Sequence, residues 1–440
     1  MLSIRHKNGS TFNLRYFFLY INVETIKCEN IKKEYNTNIM FVMKYCVIIL
    51  CKCERKVSVV DFDIEKLIQK VQAKDHRINC DEDTHIIKIT DEIFCLDSIF
   101  MLMEHIKFSN EKKFHNFNLE IMIETKYIAD EATILMLEFV IYYLMKVDMC
   151  QVICTFAISD DVMGFGSLVL SHLFEYNTRF INRDKYISFC EKKLHINKNH
   201  YRIFCENTEE NRKGIFLSKV LSDVTTFTSV FNIEKNYVDE IGEVVTEIIG
   251  NELEHTRNNC ILDIKIIEDD SNKFKCMNVT TISFGDTLIS TSIKDYIYKM
   301  DKSDYNNKNK IVMNAFENHC KQFTDFYDLD SFAMISAFQK YVTTRKMTEG
   351  SGGTGLTTLI KQLKEKTSKD YCYVLSGNGI ILFKEPYLDL TNEGLIGFNE
   401  QNDYINSIPS REVCGKTQNR FDGTIYNLSF ILEERNVVSE

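Results

Sequence analysis

The segment 241–256 limits the fold more than any other stretch of this chain. Ile241, Val244, Val245, Ile248, Ile249 and Leu253 recur at the spacing of one helical face. Glu247, Asn251 and His255 stand four residues apart among them, and positions i, i+4 and i+8 share a face of an α-helix. The spacing therefore predicts one helix over about 236–256. Its apolar side enters a core, and a carboxylate, a carboxamide and an imidazole form a row about 12 Å long at 1.5 Å per residue. Taken alone, the pattern equally describes an ordinary amphipathic helix with its polar face in water.

The rest of the chain supplies enough apolar material for such a core. Its 440 residues are 44% hydrophobic and 26% charged, a globular balance for two to three domains. A net charge of −10 argues against broad binding to a phosphate backbone, so no nucleic-acid partner is expected. The 15 cysteines are odd in number and scattered through apolar runs. They read as reduced thiols in a cytoplasmic protein. Cys46, Cys51 and Cys53 cluster without a second pair at zinc spacing. The apolar run 39–51 carries Lys44 and is too short to cross a bilayer, so no membrane span is expected.

Strand-like and helix-like segments alternate from residue 85 onward. Strands are expected at 85–89, 119–124 and 151–157, with helices at 94–108, 132–147 and 162–174. This alternation implies an α/β layer. The polar stretch 176–200 reads as a linker. A second series follows: a strand at 201–206, helices at 214–231 and 236–256, and strands at 261–267 and 277–284. Helices are expected at 288–300, 308–323, 328–345 and 354–366. Ser376-Gly-Asn-Gly379 reads as the turn of a hairpin, and a last strand covers 424–432. The expected divisions are an N-terminal segment 1–56, an α/β partner domain 57–200 and a second domain 201–435.

Two glycine stretches flank the series. Thr281-Ile-Ser-Phe-Gly-Asp-Thr-Leu288 leaves a strand, and Glu349-Gly-Ser-Gly-Gly-Thr-Gly-Leu356 runs into a helix. Clustered glycines let a backbone approach a ligand closely, and free N–H groups at a helix start favour phosphate. No Gly-Lys-Ser/Thr follows, so this is not a Walker A loop. Gly423-Thr424 opens the last strand.

The order of these pieces resembles the GHKL ATP-binding fold of gyrase, the large heat-shock chaperone, histidine kinases and mismatch-repair ATPases. The resemblance covers roughly 201–435. It implies an α/β sandwich, a mixed sheet with helices on one face, preceded here by a smaller α/β domain. It further implies ATP and Mg²⁺ as cofactors, with Asn251 as the metal ligand and Glu247 orienting or deprotonating the attacking water. Gly285 would border the adenine and Thr424 would lie near the base. Gly350, Gly352, Gly353, Thr354, Gly355 and Leu356 belong to the implied phosphate lid. His255 is either a structural histidine or a phosphate contact. The family places an Asp two residues before Gly285. Ser283 stands there instead, with Asp286 after the glycine, so the usual purine-selecting carboxylate is absent from the strand. The 64 residues from Asp286 to Glu349 form a long helical insertion.

Residues 120–137 resemble the core of STAS domains, with a strand, an Asp-led turn and an apolar helix. Glu131 follows Asp130 where that family carries a phosphorylatable Ser, which implies a docking module without a phospho-switch. The two resemblances together imply a nucleotide-controlled switch that binds and hydrolyses ATP and engages a protein partner through its N-terminal domain. A Ser or His protein kinase of the same fold and a non-catalytic nucleotide-binding interaction protein remain as alternatives.

Overall fold

Helix α3 (Glu131–Lys146) is buried along almost its whole length, from Glu131 to Met145. A helix that is apolar on all sides needs walls on all sides, and two sheets provide them. The computed structural model describes residues 64–432, apart from 78, 81–83, 113–116, 126, 157–182, 212–213, 269–274, 300–306, 341–354 and 367–371, together with 4–5 and 11–12. Residues 60–440 form one compact unit and 1–59 another. In the latter, β1 (Ile4–Arg5) pairs antiparallel with β2 (Thr11–Phe12). The expected helix at 162–174 lies outside the described residues, as do the apolar run 39–51 and its cysteines.

The N-terminal layer contains α1 (Ile64–Lys70), β3 (Asn79–Cys80), β4 (Thr84–Ile89), β5 (Ile93–Phe94), α2 (Leu96–Glu111), β6 (Asn118–Ile123), β7 (Tyr127–Ile128), α3 and β8 (Gln151–Phe156). Its main sheet runs β3-β4-β6-β8, with β4, β6 and β8 parallel. Burial alternates along β4 and β6, so one face of each strand enters the core. The linker expected at 176–200 instead contains α4 (Arg183–Cys190) and β9 (Leu194–Ile196). Strand β9 pairs with β10 (His200–Cys205) and so adds an edge strand to the second sheet.

That sheet runs β13-β14-β12-β11-β10-β9, with β11 (Cys260–Glu268), β12 (Lys275–Phe284), β13 (Tyr373–Leu382) and β14 (Cys414–Ile431). Every described pairing in it is antiparallel, not mixed as the resemblance implied. On one face, Tyr201, Leu262, Ile264, Val279 and Leu428 pack against α5 (Gly214–Ser229), α6 (Lys235–Asn251) and α10 (Gly355–Lys366). Helices α7 (Ile289–Lys299), α8 (Asn307–His319) and α9 (Leu329–Ala337) extend this core. On the other face, Ile261, Ile282, Phe284 and Ile425 pack with α3. Helices therefore cover both faces, not one, which is why β10 and β12 are buried at every position.

Charged side chains stitch the second face to α3. Arg202 donates to Glu138 at 2.7 Å and to Asp263. His200 meets Asp263 at 2.8 Å, and Lys265 meets Glu131 at 2.8 Å. Burial alone would raise Asp263, but Arg202, His200 and Lys265 hold its carboxyl well below the usual range. Asp130 caps α3 by accepting from the Thr133 N–H at 2.7 Å, and the Tyr373 hydroxyl donates to it at 2.9 Å. The Asp130–Glu131 turn is thus packed under the second sheet, with Glu131 in an ion pair.

Two local expectations change. Ser376–Gly379 is not a hairpin turn but an irregular stretch inside β13, where the register against β14 shifts. The 18 residues of β14 are long enough to pair with both sides of it. Helix α6 ends at Asn251, and residues 252–256 form a π-helical turn closed by Arg257 in the left-handed region, φ 57°. The wider turn interrupts the 3.6-residue spacing on which the expected row of Glu247, Asn251 and His255 depends.

Candidate functional site

The π turn after α6 reaches the end of β12 through the hydrogen bond from Ser283 to Glu252. Register fixes which residues meet there. Ser283 of β12 lies opposite Thr424 of β14 and Cys260 of β11, and Ser376 of β13 lies opposite Thr424. The Ser376 and Thr424 hydroxyls are 3.0 Å apart. Gly423 is required where the strands approach. It has φ +147°, and a Cβ there would lie 1.9 Å from the Ser283 carbonyl oxygen. Gly285, φ +156°, leaves room for Asn258, whose Oδ1 would be 2.1 Å from a Cβ. Asn258 donates to the Thr287 carbonyl at 3.0 Å, and the Gly285 N–H donates to the Asp422 carbonyl at 3.1 Å. The strand-exit turn is therefore held from both sides.

Glu252 dominates the chemistry of this region. The first residue of the π turn, it is only 1% exposed. Ser283 Oγ donates to its Oε2 at 2.5 Å, and Thr256 Oγ1 donates at 3.1 Å. Its Oε1 is buried with no hydrogen-bond partner. Burial pushes the carboxyl up to about 7 against the two hydroxyl hydrogen bonds that favour its ionised form. The Thr281 and Tyr426 hydroxyls are likewise buried without partners, and these two residues are opposed across β12 and β14. Burial raises the Tyr426 hydroxyl, and the nearby charges of Glu252 and Glu247 raise it further.

The residues singled out by the sequence fall into three groups. Glu247 and Asn251, both half-buried, stand one turn apart on α6. Ser283 and Gly285 lie at the exit of β12, against Thr424 and Asp422 in the middle of β14. Gly355 opens α10, which packs along α6 and β14, and Leu356 is packed against the core. Asp286 is separate from the buried group: it is exposed and paired with Lys70 of α1. Gly350, Gly352, Gly353 and Thr354 lie outside the described residues, as does the side chain of His255.

Sequence reasoning overlooked Glu252, Thr256, Thr281, Tyr426 and Lys70. Glu252 carried a signal: it falls four residues after Ile248 and three after Ile249, on the apolar face of the helix. Lys70 carried none. It bridges Asp286 and Asp422, and with Lys66, Arg257, Asn207 and Asn259 it lines a pocket of 430 Å³ beside the Gly285 turn. Among the described residues no group of three His, Cys, Asp or Glu side chains is arranged to hold a metal ion, and no helix is long and apolar enough to cross a membrane. Comparison with protein-family models, curated proteins and solved structures yields no match.

Proposed function

We propose that residues 194–432 form a GHKL-type nucleotide-binding domain, which binds Mg²⁺-ATP, hydrolyses it and thereby acts as a switch. One observation carries this reading. Glu252, next after α6, accepts from Ser283 of β12, Ser283 lies opposite Thr424 within β14, and the helix that follows the glycine stretch packs beside α6.

The donor set suits magnesium. Mg²⁺ takes oxygen ligands, usually few from protein and the rest from phosphate and water. Asn251 offers one carboxamide oxygen, and no three-residue cluster of the kind that captures zinc lies among the described residues. When bound, the ion neutralises charge on the phosphate oxygens. Glu247, one turn earlier, accepts the proton of the attacking water. The glycines before α10 offer backbone N–H groups to phosphate at a helix start. The free thiols of Cys150, Cys205, Cys260 and Cys372 support a reducing, cytoplasmic setting. The N-terminal layer is the proposed route to a protein partner.

Titration calorimetry of the full chain with Mg²⁺-ATP and Mg²⁺-GTP, paired with a phosphate-release assay, tests the reading. Asn251→Ala should abolish magnesium-dependent binding. Glu247→Gln should retain ATP and lose turnover by about 10²–10⁴-fold. Binding without turnover in the wild type would leave a ligand-gated switch, and absence of binding would end the proposal.

A further inference from the structure

We infer that Glu252, on the helix side of the site, is the residue that reads the base, taking over the work of a strand carboxylate that this chain lacks. The inference rests on the nucleotide reading above. The resemblance assigns no role to this position.

The argument begins with hydrogen-bond accounting. Ser283 stands where a carboxylate would accept from an amino group, but its hydroxyl hydrogen is already donated to Glu252 Oε2. The Thr256 hydroxyl lies 3.1 Å from the same oxygen and 2.6 Å from the Glu252 carbonyl oxygen, its shorter acceptor. The other oxygen, Oε1, is buried and unpartnered. Thr281, two residues before Ser283 on the same face of β12, has an unpartnered hydroxyl, as does its cross-strand neighbour Tyr426. Each such buried group is costly when left unpaired, and few are tolerated in a native interior. Three of them in one layer between a helix end and a sheet call for a flat ligand edge that mixes donors with acceptors. A purine edge has that form.

The carboxyl also decides which purine. With Ser283 donating to Oε2, Oε1 is the oxygen left to accept. It satisfies the exocyclic amino group of adenine and opposes the carbonyl oxygen that guanine presents at the same position. Ser283 and Thr256 hold the carboxyl from its other oxygen, so Oε1 is fixed in direction. Glu252 is thus a specificity-determining residue and takes no part in phosphate chemistry.

The test uses the full chain and three probes: Mg²⁺-ATP, Mg²⁺-GTP and the Mg²⁺ complex of purine riboside triphosphate, which has ATP's shape without the amino group. Wild type should bind ATP at least about tenfold more tightly than the purine analogue, the equivalent of roughly 1.4 kcal/mol. Glu252→Ala should bring that ratio close to one. Glu252→Gln, whose amide also presents a donor, should narrow the gap between ATP and GTP. Thermal unfolding of each variant checks that it is folded. If wild type binds ATP and the analogue equally, no acceptor meets the amino group and the inference is overturned without reference to any variant. The same holds if folded Glu252→Gln and Glu252→Ala keep the wild-type ratios. In both cases ATP binding itself persists and the nucleotide reading stands. If wild type binds none of the three probes, both readings fall together.

Discussion

Glu252 is a buried acid whose ionisation opposes folding. In the unfolded chain its carboxyl titrates near 4.5, and in the folded protein near 7. The folded state therefore holds the proton over a wider range. The stabilisation is fully present below about pH 4.5 and is lost as pH rises through 7, a change of about 3 kcal/mol. Glu252→Gln removes this loss. Relative to wild type, the variant should gain stability on going from pH 5 to pH 8, read as a larger difference in Tm at the higher pH. A difference in Tm that is constant with pH would show that the carboxyl does not titrate in this window. At the same scale, Gly423 is dictated by the Ser283 carbonyl. Gly423→Ala should lower stability by more than about 2 kcal/mol in a urea titration, because the close atom is backbone and φ is positive.

Among the elements, α3 and the second sheet are coupled by charge as well as by apolar packing. Arg202 is 4% exposed at its side chain and serves both Glu138 and Asp263. Removing one member of such a group leaves the others buried and unpaired, which costs about 3–5 kcal/mol. Arg202→Met should therefore destabilise strongly, and Lys70→Ala, whose partner Asp286 is largely exposed and whose second partner Asp422 keeps Arg420, should cost far less. Denaturant titrations of the two variants side by side decide this, and equal losses would contradict the assignment of the network as the tie. Helix α6 is the element with two duties. Its apolar stripe, Ile241 through Ile249, anchors it on the sheet, and the π turn at its end swings Glu252 under β12.

At the scale of the molecule, the two sheets share α3 and cannot be parted without exposing it. A fragment beginning at residue 191 would present Ile261, Ile282, Phe284 and Ile425 to water, along with the charges of Arg202, Asp263 and Lys265. Such a fragment should aggregate or bind a hydrophobic dye, whereas residues 60–440 should unfold in one transition by both fluorescence and far-UV circular dichroism. Two separated transitions would show that the layers fold independently. Lys70 of α1 grips Asp286 and Asp422 on either side of the Gly285 turn, so the N-terminal layer touches the turn that flanks the proposed base site, the contact through which the proposed switch would transmit.

The sequence by itself determined most of the elements, because burial periodicity is local. The stripe of α6, the apolar run of α3 and the paired strands β11 and β12 are all legible in spacing alone. It also determined that Ser283 and Gly285 stand at the exit of a strand, but it placed Gly423-Thr424 at the start of the last strand, whereas β14 begins at Cys414 and carries them in its middle. What it left open depended on partners distant in the chain. Ser376–Gly379 has the composition of a turn, and only pairing with the long β14 keeps it extended. Arg202, Asp263 and Lys265 read as the polar side of exposed strands until α3 supplies Glu131 and Glu138. Glu252 falls by spacing on the apolar face of the helix, with nothing local to show what it meets there. Its burial follows from the π turn and from Ser283, which lies 31 residues further along the chain. Periodicity records which side of an element leaves water, but the identity of the group waiting there is set by tertiary pairing, and for buried polar residues that group decides the chemistry.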